Sequence, residues 1–472
     1  MNLFTHQKTG IELGSKKNVA YFWDCGTGKT AMALNLIKHY KAEGPAVVVC
    51  PLSIIESAWM EDCKRFTPEL KAVSLWSKNA KERKYRLGLR ADLYIVNYET
   101  FKLLYADIIS LLPATLIVDE SSKLKHVQSQ ITRALLALAG IPTRSRGGVK
   151  FLANYTVPHR YVLSGTPAPN DESEYWSQIK FITGPGNKCF NDNYYAFRNI
   201  YFHSIPLGLT GQKIFRFKSA MKDTFMQAMS PVTSVLRKED VLDLPEQIHQ
   251  IRKVYLSQTE MTAYKTLQRE LVLRFENQTV LARTELTEVM KLRQLTSGFA
   301  YSDTGIVRTG ISKLRELRAL LEEIGNHQVI IWANFQYEIS SLLKELPSSD
   351  ALWSRTADRD LEKIISGFKH NRYQYLIANP QSAAHGLTFT NCHYAIYFSL
   401  NYSYELQKQS QDRIHRIGQK EQVTYYYLVA DKTIDEEIYK AVNRKMDLSK
   451  TVLRFLMEGA RSYGKKAAVT PA

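Results

Sequence analysis

Short, uninterrupted apolar runs recur along the first part of the chain: Val19 to Trp23, Ala46 to Cys50, Leu93 to Asn97, Leu116-Ile117-Val118 and Tyr161-Val162-Leu163. Runs of this length that do not alternate with polar residues predict strands buried on both faces of a parallel sheet, and the helical or mixed segments between them predict βαβ units. From about residue 170 to 300 that alternation stops. Tyr264, Leu267, Leu271 and Phe275, and then Leu286, Val289 and Leu292, keep helical spacing, so a mainly helical insertion is expected there. The β pattern restarts with Val329 to Trp332, Tyr375 to Ala378, 394–398 and 423–429, which predicts a second sheet. The expected fold class is α/β, with two doubly wound parallel-sheet lobes over 1–169 and 306–457, a mainly helical insertion over 170–305, and a small polar tail, 458–472, expected to be disordered.

The first apolar run leads into Asp24-Cys25-Gly26-Thr27-Gly28-Lys29-Thr30, and a helical pattern follows to Tyr40. Strand, tight loop and helix is the setting of a phosphate loop. The glycines let backbone N–H groups turn inward around a polyphosphate, Lys29 brings a point charge to the β- and γ-phosphates, and Thr30 can place its hydroxyl on Mg²⁺. The match covers Gly26 to Thr30 only, because Trp23 stands where the full G-x-x-x-x-G-K-T pattern has its first glycine. Upstream, Gln7 carries two donors and an acceptor able to read one edge of adenine. Asp119-Glu120 lies at the carboxyl end of a predicted parallel strand, where ligands bind in open α/β sheets, so Asp119 can hold Mg²⁺ and Glu120 can orient and deprotonate water. Ser164-Gly165-Thr166-Pro167 places small hydroxyl residues at the same edge. Arg413 and Arg416, three apart on a predicted helix, share one face and could meet a γ-phosphate held by the first sheet.

Charge narrows the partner. Lys and Arg number 63 against 46 Asp and Glu, a net +17, and this excess favours a polyanion, nucleic acid first, over a membrane or an acidic metabolite. No stretch approaches the ~18 consecutive apolar residues of a membrane helix, and Met1-Asn2-Leu3-Phe4-Thr5-His6 lacks the regions of a signal peptide, so an intracellular, soluble protein is expected. Cys25, Cys50, Cys63, Cys189 and Cys392 are scattered and form no C-x-x-C, which supports neither a disulfide framework nor a zinc ribbon.

With these residues assembled, the chain resembles the Swi/Snf-type branch of the superfamily-two helicases, motors with two RecA-like lobes that close on ATP while tracking along DNA. His6-Gln7 is similar to the adenine-reading Q element, and Gly26 to Thr30 to the phosphate loop. Val49-Cys50-Pro51-Leu52-Ser53 with Trp59 resembles the first DNA-tracking segment and Asn97-Tyr98-Glu99 the second. Asp119-Glu120 stands at the acidic box, and Ser164-Gly165-Thr166-Pro167-Ala168-Pro169-Asn170 at the coupling motif. Leu236-Arg237-Lys238-Glu239-Asp240-Val241 with Leu244-Pro245 is similar to a signature inside the helical insertion. Asp412-Arg413-Ile414-His415-Arg416-Ile417-Gly418-Gln419 is the most specific match.

The resemblance implies ATP and Mg²⁺ as cofactors and a DNA-stimulated ATPase. Its catalytic residues would be Lys29, Glu120 and the arginine fingers Arg413 and Arg416. Gln7, Gly26, Thr27, Gly28, Lys29, Thr30 and Gly386 would bind nucleotide, and Thr30 and Asp119 the metal. Ser53, Asn97, Ser164, Thr166 and Ser382 would contact DNA or couple to it, with duplex or branched DNA held through its phosphates. The alternatives are an RNA or single-strand helicase and an ATP-gated clamp that does not move. Two variants, Asp119-Glu120-Ser121-Ser122 in place of D-E-A-H and Ala383-Ala384-His385-Gly386-Leu387-Thr388-Phe389 in place of a glycine-rich run, look closer to the annealing helicases than to nucleosome remodellers. The basic loop 140–155 precedes its strand and is expected at the sheet edge opposite ATP. The span of the motifs suggests a bare motor of a phage or small prokaryotic system, cytoplasmic with the DNA.

Overall fold

The computed structural model describes residues 3–141, 155–187, 189–207, 212–277, 282–302, 305–383 and 387–443, and divides the chain into two compact units, Met1–Asp243 and Leu244–Ala472. Most of the basic loop, 142–154, and the tail 458–472 lie outside the described residues.

In the first unit, β1 (Val19–Trp23), β2 (Ala46–Cys50), β3 (Ala72–Ser74), β4 (Leu93–Asn97), β5 (Thr115–Asp119) and β6 (His159–Leu163) form a parallel sheet in the order β3-β4-β2-β5-β6-β1. Every residue of β1, β2 and β5 is buried. Alternate side chains of one strand serve two cores: Val47 and Val49 pack with Trp176 and Ile179, while Val48 and Cys50 pack with Leu36 and Ile37. Helices therefore cover both faces, which is why these strands read as continuous apolar runs.

Beyond the coupling motif the chain forms the antiparallel hairpin β7 (Phe202–Leu207) and β8 (Gln212–Phe217), and then β9 (Thr233–Leu236), which adds to the sheet beside β1. β9 runs parallel to β1 from Ala20↔Thr233 to Trp23↔Leu236. The next strand, β10 (Gln247–Val254), pairs along its whole length with β17 (Val423–Ala430) of the second unit. The stretch 170–305 is thus divided between the units, contrary to the single, mainly helical insertion expected from the sequence. β9 and β10 are edge strands, mostly half-buried or exposed, so no apolar run announces them.

The second unit holds the parallel sheet β10-β17-β16-β13-β15-β14, with β13 (Val329–Trp332), β14 (Ser349–Leu352), β15 (Tyr375–Ala378) and β16 (Tyr394–Tyr397). A small hairpin, β11 (Phe299–Ser302) with β12 (Gly305–Arg308), stands apart from it. Ile330 and Trp332 face one core and Val329 and Ile331 the other. Tyr264, Leu271, Val289 and Leu292, from the helices Gln258–Asn277 and Ala282–Thr296, fill the first of these cores.

Candidate active site

All strands of the first sheet run parallel, so their carboxyl ends share one edge. That edge gathers the loop after β1, Ser53 after β2, Asn97 ending β4, Asp119-Glu120 ending β5, and Ser164 to Thr166 after β6.

The phosphate loop has the conformation its glycines allow. Gly26 and Gly28 sit at φ 84° and 79°, in the left-handed region, and Lys29 begins the helix Lys29–Tyr40. Lys29 Nζ donates to the carbonyls of Trp23 (2.8 Å) and Asp24 (3.0 Å), folding its charge back over the loop. Thr30 follows at the second helical position, where backbone N–H groups are free of intrahelical partners. Trp23, in place of a glycine, is buried and donates from Nε1 to Ser234 Oγ (2.9 Å) on β9. The Asp24 amide donates to Leu236 O and its carboxylate accepts from the Lys238 amide, so the start of the loop is fastened to β9 and the turn that follows.

Gln7 touches this loop directly. Its Nε2 donates to Gly28 O (3.0 Å), and its Oε1 accepts from the Phe4 amide (2.9 Å). A Cβ on Gly28 would lie 2.2 Å from that Nε2, so any other residue would displace the Gln7 amide in addition to straining the left-handed φ. His6 Nε2 donates to Thr27 O at 2.8 Å, and Thr27 Oγ1 donates to Asp24 O.

Asp119 is buried, and burial pushes its carboxyl pKa up. The Lys29 charge, the Trp59 indole and the Glu120 amide oppose that shift. Trp59 Nε1 donates to Oδ2 (2.9 Å) and the Glu120 amide to Oδ1 (2.9 Å). Tyr98 OH donates to the Asp119 carbonyl (2.5 Å) and lies 3.2 Å from that of Glu120. Glu120 itself takes φ 54°, a left-handed conformation uncommon for a side-chain-bearing residue. Trp59 belongs to a wide helical turn, Ile55–Met60, of the π type that recurs at functional sites.

Beyond the acidic box, Ser121 Oγ donates to Gln178 Oε1 (2.6 Å), and Gln178 Nε2 donates to Pro167 O (2.7 Å). Ser164 Oγ accepts from the Thr166 amide (3.1 Å). Ser164 and Thr166 are both buried, which suits coupling rather than a direct hold on DNA. Gly165 passes so close to the phosphate loop that a Cβ there would lie 2.9 Å from Cys25 Sγ. Asn170 donates twice to Glu174, a buried carboxyl whose pKa burial raises to about 7 against the pull of those two bonds. Ser53 is exposed, whereas Asn97 is half-buried with a buried Oδ1 that has no hydrogen-bond partner among the described residues.

In the second unit the helix Tyr404–Gln411 ends before the two arginines, so Arg413 and Arg416 do not share a helical face as predicted. They lie in the turns that follow and reach back to one segment: Arg413 Nη1 donates to Leu387 O (3.3 Å), and Arg416 Nη1 to Thr388 Oγ1 (2.7 Å). His415 between them is buried; its Nε2 donates to Pro245 O and its Nδ1 accepts from Gln247. Ser382 is exposed in the turn Pro380–Ala383, and Gly386 lies outside the described residues.

Gln178 and Glu174 escaped the sequence reading. The signal was a Gln among Trp176, Ile179, Phe181 and Ile182, a polar residue on the buried side of an apolar helix.

Parallel sheets with a phosphate loop and an acidic box at one edge define a nucleotide-binding ATPase of the helicase type. The SNF2-related domain matches residues 16–298, more than half of the chain, and the helicase conserved C-terminal domain matches residues 312–418. The chain belongs to the SNF2-related family and is a DNA-stimulated, helicase-like ATPase. It is 26% identical to putative protein p41 of Acyrthosiphon pisum secondary endosymbiont phage 1, over 91% of this chain and 92% of that one. It is 25% identical to a Caenorhabditis elegans homologue of SWI/SNF-related matrix-associated actin-dependent regulator of chromatin subfamily A-like protein 1, over 94% of this chain and 61% of that protein. Against the human DNA annealing helicase and endonuclease ZRANB3 the identity is 24%, over 96% of this chain and 40% of that protein. Among solved structures, the Sulfolobus solfataricus SWI2/SNF2 ATPase core in complex with dsDNA aligns with 94% of this chain and 91% of its own, at 21% identity and a TM-score of 0.41. Among the described residues, no helix is long and apolar enough to cross a membrane.

Proposed function

We propose that this chain is an ATP-dependent translocase on double-stranded DNA that remodels or anneals branched DNA, working in the cytoplasm of a prokaryotic or phage-infected cell. The observation that carries the reading is the bonding of the acidic box to both strand-end segments: Trp59 follows β2 and holds the Asp119 carboxylate, and Tyr98 follows β4 and holds the Asp119 carbonyl. Movement of either segment along DNA therefore moves the groups that position water and metal.

Gly26, Thr27 and Gly28 supply backbone N–H groups, Lys29 and Thr30 hold the phosphates, and Gln7 at the Gly28 carbonyl sets the loop below the base. The Asp119 carboxylate and the Thr30 hydroxyl are hard oxygen donors, and each Asp119 carboxylate oxygen accepts from one N–H group and keeps lone-pair capacity, so the pair fits Mg²⁺, which would neutralise phosphate charge. Glu120 takes the proton from water, and Arg413 and Arg416 supply cationic charge during turnover. Ser53, Asn97 and Ser382 touch DNA phosphates, so sequence preference is slight. The phage relative, matched over nearly its full length, and the annealing helicase favour this setting.

The test compares ATPase stimulation by duplex DNA, single strands and RNA, and then asks for displacement of a triplex-forming strand. Duplex stimulation with displacement is expected. Preference for RNA or single strands overturns the substrate, and stimulation without displacement makes the protein a clamp.

A further inference from the structure

Between Asp192 and Asp223 the sequence has no acidic residue, yet it carries Arg198, Lys213, Arg216, Lys218 and Lys222. In the first unit this stretch folds as the helix Tyr194–Tyr201 and the hairpin β7–β8, which neither the sheet nor the phosphate site uses.

Register gives the hairpin two different faces. Phe202 opposite Phe217, Ser204 opposite Phe215 and Pro206 opposite Lys213 form one; His203 opposite Arg216 and Ile205 opposite Ile214 form the other. The phenylalanine face is anchored. Phe217 packs edge-on against Phe225, the Arg198 guanidinium stacks 3.5 Å from the Phe215 ring centre, and Lys218 Nζ donates to the carbonyls of Asn199 and Ile200. Arg198 and Lys218 thus brace the hairpin from within. His203 and Arg216 are exposed on the second face, and Lys213 is exposed on the first, beyond the phenylalanines toward the turn. A ribbon anchored through its phenylalanines that exposes one cation on each face, drawn from a segment without a carboxylate, complements a surface of regularly spaced negative charge.

We propose that the hairpin β7–β8 is a second phosphate-backbone contact for DNA, separate from the strand-end segments, with Arg216 and Lys213 as its cations. The proposal rests on the DNA reading above. Contact with phosphates adds affinity and salt dependence without base preference.

The test measures anisotropy of a labelled duplex across a salt series for the whole chain and for Lys213→Glu/Arg216→Glu. Lys81→Glu/Lys84→Glu, on the helix Ala80–Gly88, makes the same change in net charge elsewhere. At about 0.1 M salt the hairpin pair is expected to bind roughly tenfold or more weakly, with a log–log slope shallower by about 0.9 for each phosphate that is no longer neutralised. The control pair should keep the wild-type slope. If the glutamate pair melts early, Lys213→Gln/Arg216→Gln carries the same test. A wild-type slope and affinity in the hairpin pair, or an equal weakening in the control, overturns the assignment while leaving the DNA reading intact. Failure of the wild-type chain to bind duplex overturns the DNA reading itself.

Discussion

The Ser121 hydroxyl and the Gln178 amide form a 2.6 Å hydrogen bond, and the same amide donates to Pro167 O, so two bonds join the acidic box to the coupling motif. Ser122, in the position where the resemblance has a histidine, is buried. We propose that the nucleotide state reaches the coupling loop through the third residue of the box, along these two bonds. Ser121→Ala and Gln178→Leu should each lower DNA-stimulated turnover while nucleotide affinity stays within a few fold. Because the partners touch, a double-mutant cycle should give a coupling energy of about 0.5–3 kcal/mol. Strictly additive losses would remove the relay.

Lys29→Ala should abolish ATP turnover with little change in melting temperature. In the structure its ammonium meets two loop carbonyls, and it contributes charge more than packing. Turnover near wild type in a folded variant refutes the phosphate site.

Trp59→Phe keeps a ring but removes the donor to Asp119 Oδ2. Burial already raises the Asp119 pKa, so losing an opposing hydrogen bond raises it further and favours the protonated form. The acid limb of the ATPase pH profile should move to higher pH, and the Mg²⁺ concentration for half-maximal rate should rise several-fold. A hydrogen bond to a charged group contributes about 1.5–3 kcal/mol, enough for both effects. An unmoved acid limb with an unchanged Mg²⁺ requirement would show that the indole does not tune this carboxylate.

Glu174 makes stability depend on pH near neutrality. Its folded pKa of about 7 stands above the ordinary 4.5, so its contribution is fully present below pH 4.5 and is lost as pH rises through about 7. The loss is on the order of 1–3 kcal/mol. Glu174→Gln cannot ionise, and its melting temperature should overtake that of wild type between those limits. Parallel curves for the two proteins across the window would assign the pH response elsewhere.

Legibility in the sequence followed burial. β1, β2 and β5 are covered on both faces, and their unbroken apolar runs were enough to place the phosphate loop and Asp119-Glu120 at strand ends. β9 and β10 lie at sheet edges, mostly half-buried or exposed and without an unbroken apolar run, so the same criterion missed them and drew one insertion where the chain passes between units. The hairpin β7–β8 carries Pro206 and His203, poor strand markers, and takes its order from aromatic packing instead. For the site, the groups that carry charge were legible because chemistry restricts their type. The groups that position them, Gln178 and Tyr98 among them, act through contacts between segments distant in the chain, which spacing alone does not encode.

Arg416 separates a catalytic from a structural reading of the second unit. Its Nη1 donates to Thr388 Oγ1, a 2.7 Å neutral-acceptor bond in a half-buried setting. If that bond were its purpose, Arg416→Ala and Thr388→Val would cost similar stability, about 0.5–1.5 kcal/mol, and both would leave turnover largely intact. If the arginine instead stabilises charge on the transferring phosphoryl group, removing it costs roughly 10³ to 10⁵ in turnover, while ground-state nucleotide affinity barely changes. Thr388→Val then removes one bond from the side chain and leaves the rate within a few fold of wild type. The expected outcome is this second pattern, read from nucleotide titrations beside steady-state turnover at saturating duplex. Arg416→Lys extends the test, because an ammonium keeps the charge but loses the planar fork and should recover only a small part of the rate. Turnover of Arg416→Ala within about tenfold of wild type would leave the Thr388 bond as its role, and no finger would be supplied from this turn.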